Sequence, residues 1–127
     1  MTLVELAIAG PPVSQQTRRR ERLAAYKEEV RTRAVAAYGE RPPYSGWARV
    51  KITYVYDEID MDVDNIAKPI LDGLKGIVLA DDAQVMDVLV TKRHLTWSRF
   101  VDPSALFLQM LATERAFVHV VVVTWVG

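Results

Sequence analysis

Along this chain the period of the hydrophobic positions switches between two and about 3.6, and the switches predict the element order β-α-β-α-β-α-β. Thr2 to Ala9 alternates loosely and reads as a strand, closed by Gly10-Pro11-Pro12, which cannot continue it. From Arg18 to Tyr38 apolar residues recur at Leu23, Tyr26, Val30, Ala34 and Ala37 with charges between them, which predicts a helix that Ser14 or Thr17 could cap. Gly39, Pro42-Pro43 and Gly46 end it, and Trp47 to Tyr56 reads as a strand with Val50, Ile52, Tyr54 and Tyr56 on one side. A helix follows from near Asn65 to about Leu74, in which Pro69 is tolerable because it falls in or near the first turn. Gly76 stops that helix, and Gln84 to Thr91 reads as a strand with Met86, Val88 and Val90 on its buried side. Asp102-Pro103 signals the start of a helix over Ser104 to Ala112 that is apolar almost all round, so it is either sandwiched inside the fold or meets another subunit. Phe117 to Val126 is a Val-rich closing strand. The expectation is an α+β fold, a single domain over residues 1–127 with a mixed β-sheet and helices packed on it.

Composition narrows the class. The chain has 127 residues, half of them hydrophobic and a quarter charged, which describes an ordinary globule able to bury a core. It has no cysteine, so disulfides, thiolate metal sites and cysteine nucleophiles drop out together, as suits a reducing cytoplasm. Met1 to Ile8 lacks the basic start and long apolar core of a signal peptide, and the apolar run around Val120 to Val123 is far too short to span a membrane. A cytoplasmic protein is expected. The net charge of zero hides a split: residues 1–51 carry ten Lys/Arg against five acids, and residues 52–127 carry six against eleven. Such a split suits a basic surface for a polyanion beside an acidic pocket for a cation, or two regions that pair with each other.

The acidic part has internal order. Between Asp57 and Asp87 stand nine carboxylates and two lysines. Asp62 and Asp64 lie two apart, so in an extended chain both face one way. Metal-assisted phosphodiester cleavage needs oxygen ligands that hold Mg²⁺, with Mn²⁺ as the alternative, while leaving positions for water and a phosphate oxygen. Asp62, Asp64 and Asp82 fill the ligand roles, and Lys68 could stabilise charge on phosphate oxygens or orient water. The EF-hand pattern fails because its glycine and glutamate positions hold Asn65 and Leu71. An Asp-x-Asp nucleophile of the haloacid-dehalogenase type fails because Asp57-Glu58-Ile59-Asp60 replaces the hydrophobic strand it needs. Asp72, four residues past Lys68, is a helix-surface pairing partner rather than a ligand. Arg18, Arg19, Arg20 and Arg22 are the candidate phosphate contacts, near a helix start whose dipole also favours anions. Arg31 and Arg33 read as surface. His94 and His119 lack metal-ligand spacing and read as structural, and Trp47, Trp97 and Trp125 read as core or interface aromatics.

Asp62-Val63-Asp64-Asn65-Ile66-Ala67-Lys68, then Leu71-Asp72-Gly73-Leu74, then Asp81-Asp82-Ala83-Gln84-Val85, resembles the signature of the RusA-type Holliday junction resolvases. More loosely, Gly10-Pro11-Pro12-Val13-Ser14 ahead of a basic helix resembles the family's N-terminal segment. The resemblance implies a Mg²⁺-dependent homodimeric endonuclease that resolves four-way DNA junctions by symmetric nicking in recombination and repair. Asp62, Asp64 and Asp82 would be the metal ligands and Lys68 the catalytic lysine, with Asp81 adjacent and Asn65 bracing the turn. Residues 93–116 match no part of the pattern. A nuclease for flaps, forks or other branched DNA, and a non-catalytic DNA-binding module, are the alternatives.

Overall fold

The Val-rich segment Phe117–Thr124 is the hub of the fold rather than its rim. In the computed structural model, which describes residues 1–126, it forms β4 and lies between β1 (Thr2–Ala9) and β2 (Ala48–Tyr56), antiparallel to both. β3 (Val85–His94) runs parallel to β2 and completes a mixed four-stranded sheet in the order β1-β4-β2-β3. Three helices complete the α+β fold: α1 (Arg20–Tyr38), α2 (Ala67–Leu74) and α3 (Ala105–Leu111). Short 3-10 turns at Val63–Asn65 and Asp82–Gln84 precede α2 and β3. Among the described residues no helix is long and apolar enough to cross a membrane.

Period-two alternation builds the core in cross-strand rows. Val4–Val122–Val50, Leu6–Val120–Ile52 and Ile8–Val118–Tyr54 line up across β1, β4 and β2, and every one of these side chains is buried. α1 covers them with Tyr26, Val30, Ala34 and Tyr38, and α2 adds Ile70 and Leu74. Tyr38, not Ala37, ends the buried stripe of α1. The two helices approach closely at Gly73, where a Cβ would lie 2.6 Å from Val30 Cγ1 and 3.0 Å from the Lys27 carbonyl oxygen.

The other face of the sheet is only partly covered. Phe107 of α3 packs on Val55 and Phe117 at one end, with Leu95, Phe100 and Met110 around them. The remainder is a groove of about 660 Å³ lined by Glu5, Lys51, Thr53, Thr91 and His119 among others. On its floor the Glu5 carboxylate bonds His119 Nε2 at 2.6 Å and accepts from the Ser104 hydroxyl, while Ser104 Oγ accepts the Phe107 N–H and so caps α3. Burial pushes the Glu5 carboxyl up, but the bonds to Ser104 and His119 outweigh it and leave its pKa below the ordinary 4.5.

Several expectations are corrected. Met86 and Val88 are not on a buried side: they are 45% and 40% exposed, because β3 is an edge strand and only Val85 and Val90 reach the core. α1 begins at Arg20, and Thr17 Oγ1 accepts the Arg19 N–H at 3.3 Å instead of capping the first turn. β4 ends at Thr124 rather than Val126, beyond which the Trp125 indole N–H donates to Asp87 at 2.7 Å. Both edges of β4 are paired, so the Val-rich end is internal to the sheet, and α3 buries Phe107 while leaving Leu108 half exposed.

Two measurements test these contacts. Gly73→Ala forces α1 and α2 apart and is expected to cost about 2 kcal/mol in denaturant unfolding. Glu5 contributes stability that is fully present above its unfolded pKa and is lost as pH falls through its lowered folded pKa. Glu5→Gln is therefore expected to lose less stability than the parent between about pH 5 and pH 2, read by thermal unfolding across that range.

Candidate active site

The acidic loop after β2 is tethered from below. Tyr54, buried in β2, donates its hydroxyl to the Ile59 carbonyl at 2.5 Å. Burial first, then the charges of Asp57 and Asp60, push the Tyr54 phenol up to about 12, so it stays a donor. Asp57 Oδ1 and Asp60 Oδ1 accept the N–H groups of Glu58 and Met61 at 2.6 and 2.8 Å, and Lys92 Nζ reaches Asp60 Oδ1 at 2.7 Å. The loop therefore leaves β2 and crosses to β3 before it reaches Asp62.

The chain does not stay extended through Asp62-Val63-Asp64. Asp62 is extended (φ −63°, ψ 137°), but its carbonyl accepts the Asn65 N–H at 3.0 Å and closes the 3-10 turn that contains Asp64. Both carboxylates are exposed, and the shared face expected of an extended pair is replaced by a turn. α2 then starts at Ala67 rather than Asn65, with Lys68 and Pro69 in its first turn.

Lys68 is the junction of an ion chain. Its ammonium lies 2.8 Å from Asp72 Oδ1 and 3.2 Å from Asp82 Oδ2, and Asp72 Oδ2 is 2.9 Å from Lys27 Nζ on α1. The bonds to Asp72 and then Asp82 raise the Lys68 pKa above the ordinary lysine value, so the group is a fixed cation at neutral pH. Burial pushes Asp72 up, but the bonds from Lys68 and Lys27 outweigh it and hold its carboxyl below the usual range. Asp72 thus has the pairing role its spacing predicts.

Asp82 sits in the 3-10 turn that opens β3, and Gln84 builds that turn. Gln84 Oε1 accepts the Asp81 N–H at 2.8 Å, while Nε2 donates to the carbonyls of Tyr44 and Gly46 at 2.6 and 2.7 Å. Asp81 points away from Lys68 to Lys75, 3.2 Å distant, which is the first cause of its lowered pKa. The second oxygen of Asp82, Oδ1, is buried with no hydrogen-bond donor among the described residues.

The structure therefore joins Asp82 to Lys68 and leaves Asp62 and Asp64 on the separate turn ahead of α2. Among the described residues no three carboxylate or imidazole groups converge as a metal-binding set. The donor chemistry still fits a hard divalent cation: three carboxylates on the two 3-10 turns before α2 and β3, one with an oxygen that has no partner among the described residues. Arg18 and Arg19 precede α1, and Arg20 and Arg22 occupy its first turn; all four are exposed. Arg19 lies 3.5 Å from Glu21. The Gln15 N–H donates to the Asn65 carbonyl at 3.3 Å, which ties the segment ahead of these arginines to the turn holding Asp64.

A family model described as endodeoxyribonuclease RusA matches residues 11–99, which span α1, β2, the acidic loop, α2 and β3. The chain belongs to the RusA endodeoxyribonuclease family. The match includes residues 93–99, which the motif reading left outside the family pattern, and omits β1, α3 and β4. No curated protein matches the chain. RusA membership supports a nuclease role at DNA junctions in general, and a metal-dependent mechanism in general.

Three RusA-domain residues with positioning contacts were not singled out as functional from sequence: Lys27, Tyr54 and Gln84. Gln84 stands in the Asp-Asp-x-Gln-Val motif, whereas Tyr54 signals only its strand face and Lys27 only a helix charge. Gln84→Ala leaves the Asp81 N–H and the Gly46 carbonyl without partners, while the Tyr44 carbonyl keeps the Ala80 N–H, and is expected to destabilise by about 2 kcal/mol. Chemical denaturation measures that loss, and selective loosening of the turn holding Asp82 would appear as faster amide exchange over residues 81–85.

Proposed function

We propose that this RusA-family chain is a divalent-metal-dependent endonuclease that resolves four-way DNA junctions by paired symmetric nicks. Asp62, Asp64 and Asp82 would hold Mg²⁺, or Mn²⁺ in its place, which supplies charge neutralisation at the scissile phosphate and activation of water when bound. The observation that carries the reading is the Lys68–Asp82 pair with its partnerless carboxylate oxygen: a fixed cation and an unsatisfied anion at one place.

Lys68 acts as a cation rather than a base. Two carboxylates hold its ammonium, so it offers positive charge to the phosphate oxygens as negative charge builds on them in the transition state. Its place in the first turn of α2 fixes that charge on a rigid element, so little reorganisation is needed during the reaction. Asp72 keeps the ammonium aimed, and Lys27 keeps Asp72 in place. Arg18, Arg20 and Arg22 hold flanking phosphates of the bound strand, with Arg19 freed from Glu21 when DNA competes for it. Paired nicking needs two such sites at a fixed separation, so the active species is a homodimer.

Asp64→Asn removes a ligand charge while keeping the size of the side chain. The expected outcome is loss of Mg²⁺-dependent cleavage of an immobile four-way junction by at least about a hundredfold, with junction binding kept or tightened because a repulsive carboxylate is gone. Full cleavage by this variant would end the mechanism. Faster cleavage of flaps or forks than of the junction would shift the substrate, and binding without cleavage by the parent protein would leave only a DNA-binding module.

A further inference from the structure

Trp97 is 82% exposed, although its sequence context reads as core or interface. It is nevertheless ordered by its neighbours. Its ring stacks on His94 with centroids 4.0 Å apart and planes 15° from parallel, and His94 meets the edge of Tyr56 at 5.2 Å. The backbone beneath is fixed: Leu95 N–H donates to the Tyr56 carbonyl at 2.8 Å, Ser98 N–H to the His94 carbonyl at 3.3 Å, and Thr96 N–H to His94 Nδ1 at 3.2 Å. One face of the indole is covered by imidazole, and the rest of the ring is open.

This stack adjoins the acidic loop. Lys92 Nζ stands 6.0 Å over the Tyr56 ring and 2.7 Å from Asp60, two residues before Asp62. Arg93 and Arg99 are close in sequence but line the open groove on the other face of the sheet. Both are exposed and neither has a carboxylate partner among the described residues. An exposed, preformed aromatic platform is a surface on which a base of single-stranded nucleic acid stacks, whatever its identity, because every base has a π-face. A base inside a duplex already has both faces covered by its neighbours, so such a platform favours nucleotides that have left the stack.

We propose that Trp97, stacked on His94 beside the acidic loop, is a binding site for an unpaired nucleotide of branched DNA. The inference rests on the nuclease reading for the identity of the DNA, and it assigns selection of unpaired structure to a segment separate from the acidic residues. At a branch point the strand next to the cut carries bases free to unstack, and the ladder from Trp97 through His94 and Tyr56 to Lys92 leads from such a base to the acidic loop.

The test is binding without divalent metal, using a forked DNA with 2-aminopurine in its unpaired arm and a blunt duplex as control. The parent protein is expected to quench 2-aminopurine on binding the fork. Trp97→Ala is expected to bind the fork about tenfold more weakly with the quenching lost, and Trp97→Phe to restore most of both, while duplex affinity stays constant. Because Trp97 is exposed, unchanged thermal unfolding will show that the variants are folded. The inference falls if Trp97→Ala keeps parental fork affinity and quenching, or if the parent never quenches. A parent protein that quenches but never nicks any branched DNA overturns the nuclease reading and leaves the platform standing. Normal nicking with an unaltered Trp97→Ala does the reverse.

Discussion

The ion chain Lys27–Asp72–Lys68–Asp82 is the constraint through which the fold reaches the candidate site. It runs from α1, packed on the sheet, through α2, to the turn that opens β3. Its stabilising contribution is small, because the Lys68 side chain is half exposed and solvent-screened pairs contribute at most about 1 kcal/mol. The stability of this region comes from the apolar contact beneath it, where Gly73 lets α2 lie against Val30. The ionic chain instead determines direction. It turns Lys68 toward Asp82, and Gln84 holds Asp82 in the turn that meets it. Stability and geometry are thus supplied by different residues one helical turn apart.

The sheet order follows from the same division. β1, β4 and β2 carry the continuous rows that the helices cover, whereas β3 is held mainly by its parallel ladder to β2 and leaves Met86, Val88 and Leu89 exposed. An edge strand whose first residues follow Asp82 and whose last residues support Trp97 spans both the acidic turn and the aromatic stack. Exposed apolar side chains on that strand follow from its place at the edge of the sheet.

Much of this was legible in the residues. α1 and the four strands declare themselves because burial there is periodic, and the Asp-x-Asp-Asn-x-x-Lys and Asp-Asp-x-Gln-Val motifs locate the turns that carry the candidate chemistry. What was not legible depends on neighbours distant in sequence. An alternating strand looks the same at the edge of a sheet as in its middle, so Met86 and Val88 read as buried. The turn between Asp62 and Asp64 is a 3-10 closure that no spacing reveals. Tyr54 becomes a tether only because the loop after β2 folds back over it, and Trp97 becomes exposed only because the residues after β3 turn back at His94.

The charge asymmetry can now be followed residue by residue. Part of it does cancel internally: Lys27 pairs with Asp72 and Arg49 with Asp87, while Lys92, Lys75 and Lys68 engage Asp60, Asp81 and Asp82. The carboxylates left without a cation among the described residues of the acidic region are Asp57, Glu58, Asp62 and Asp64, all on one stretch of chain. On the basic side Arg18, Arg20 and Arg22 are equally unpaired, and the Gln15–Asn65 hydrogen bond brings the segment before them against the turn that carries Asp64. Charges of opposite sign thus remain separate on adjoining segments instead of neutralising each other, at a cost in self-repulsion within each set. A phosphate on the arginines and a divalent cation on the carboxylates would relieve both at once, and a nuclease substrate with its metal is that combination.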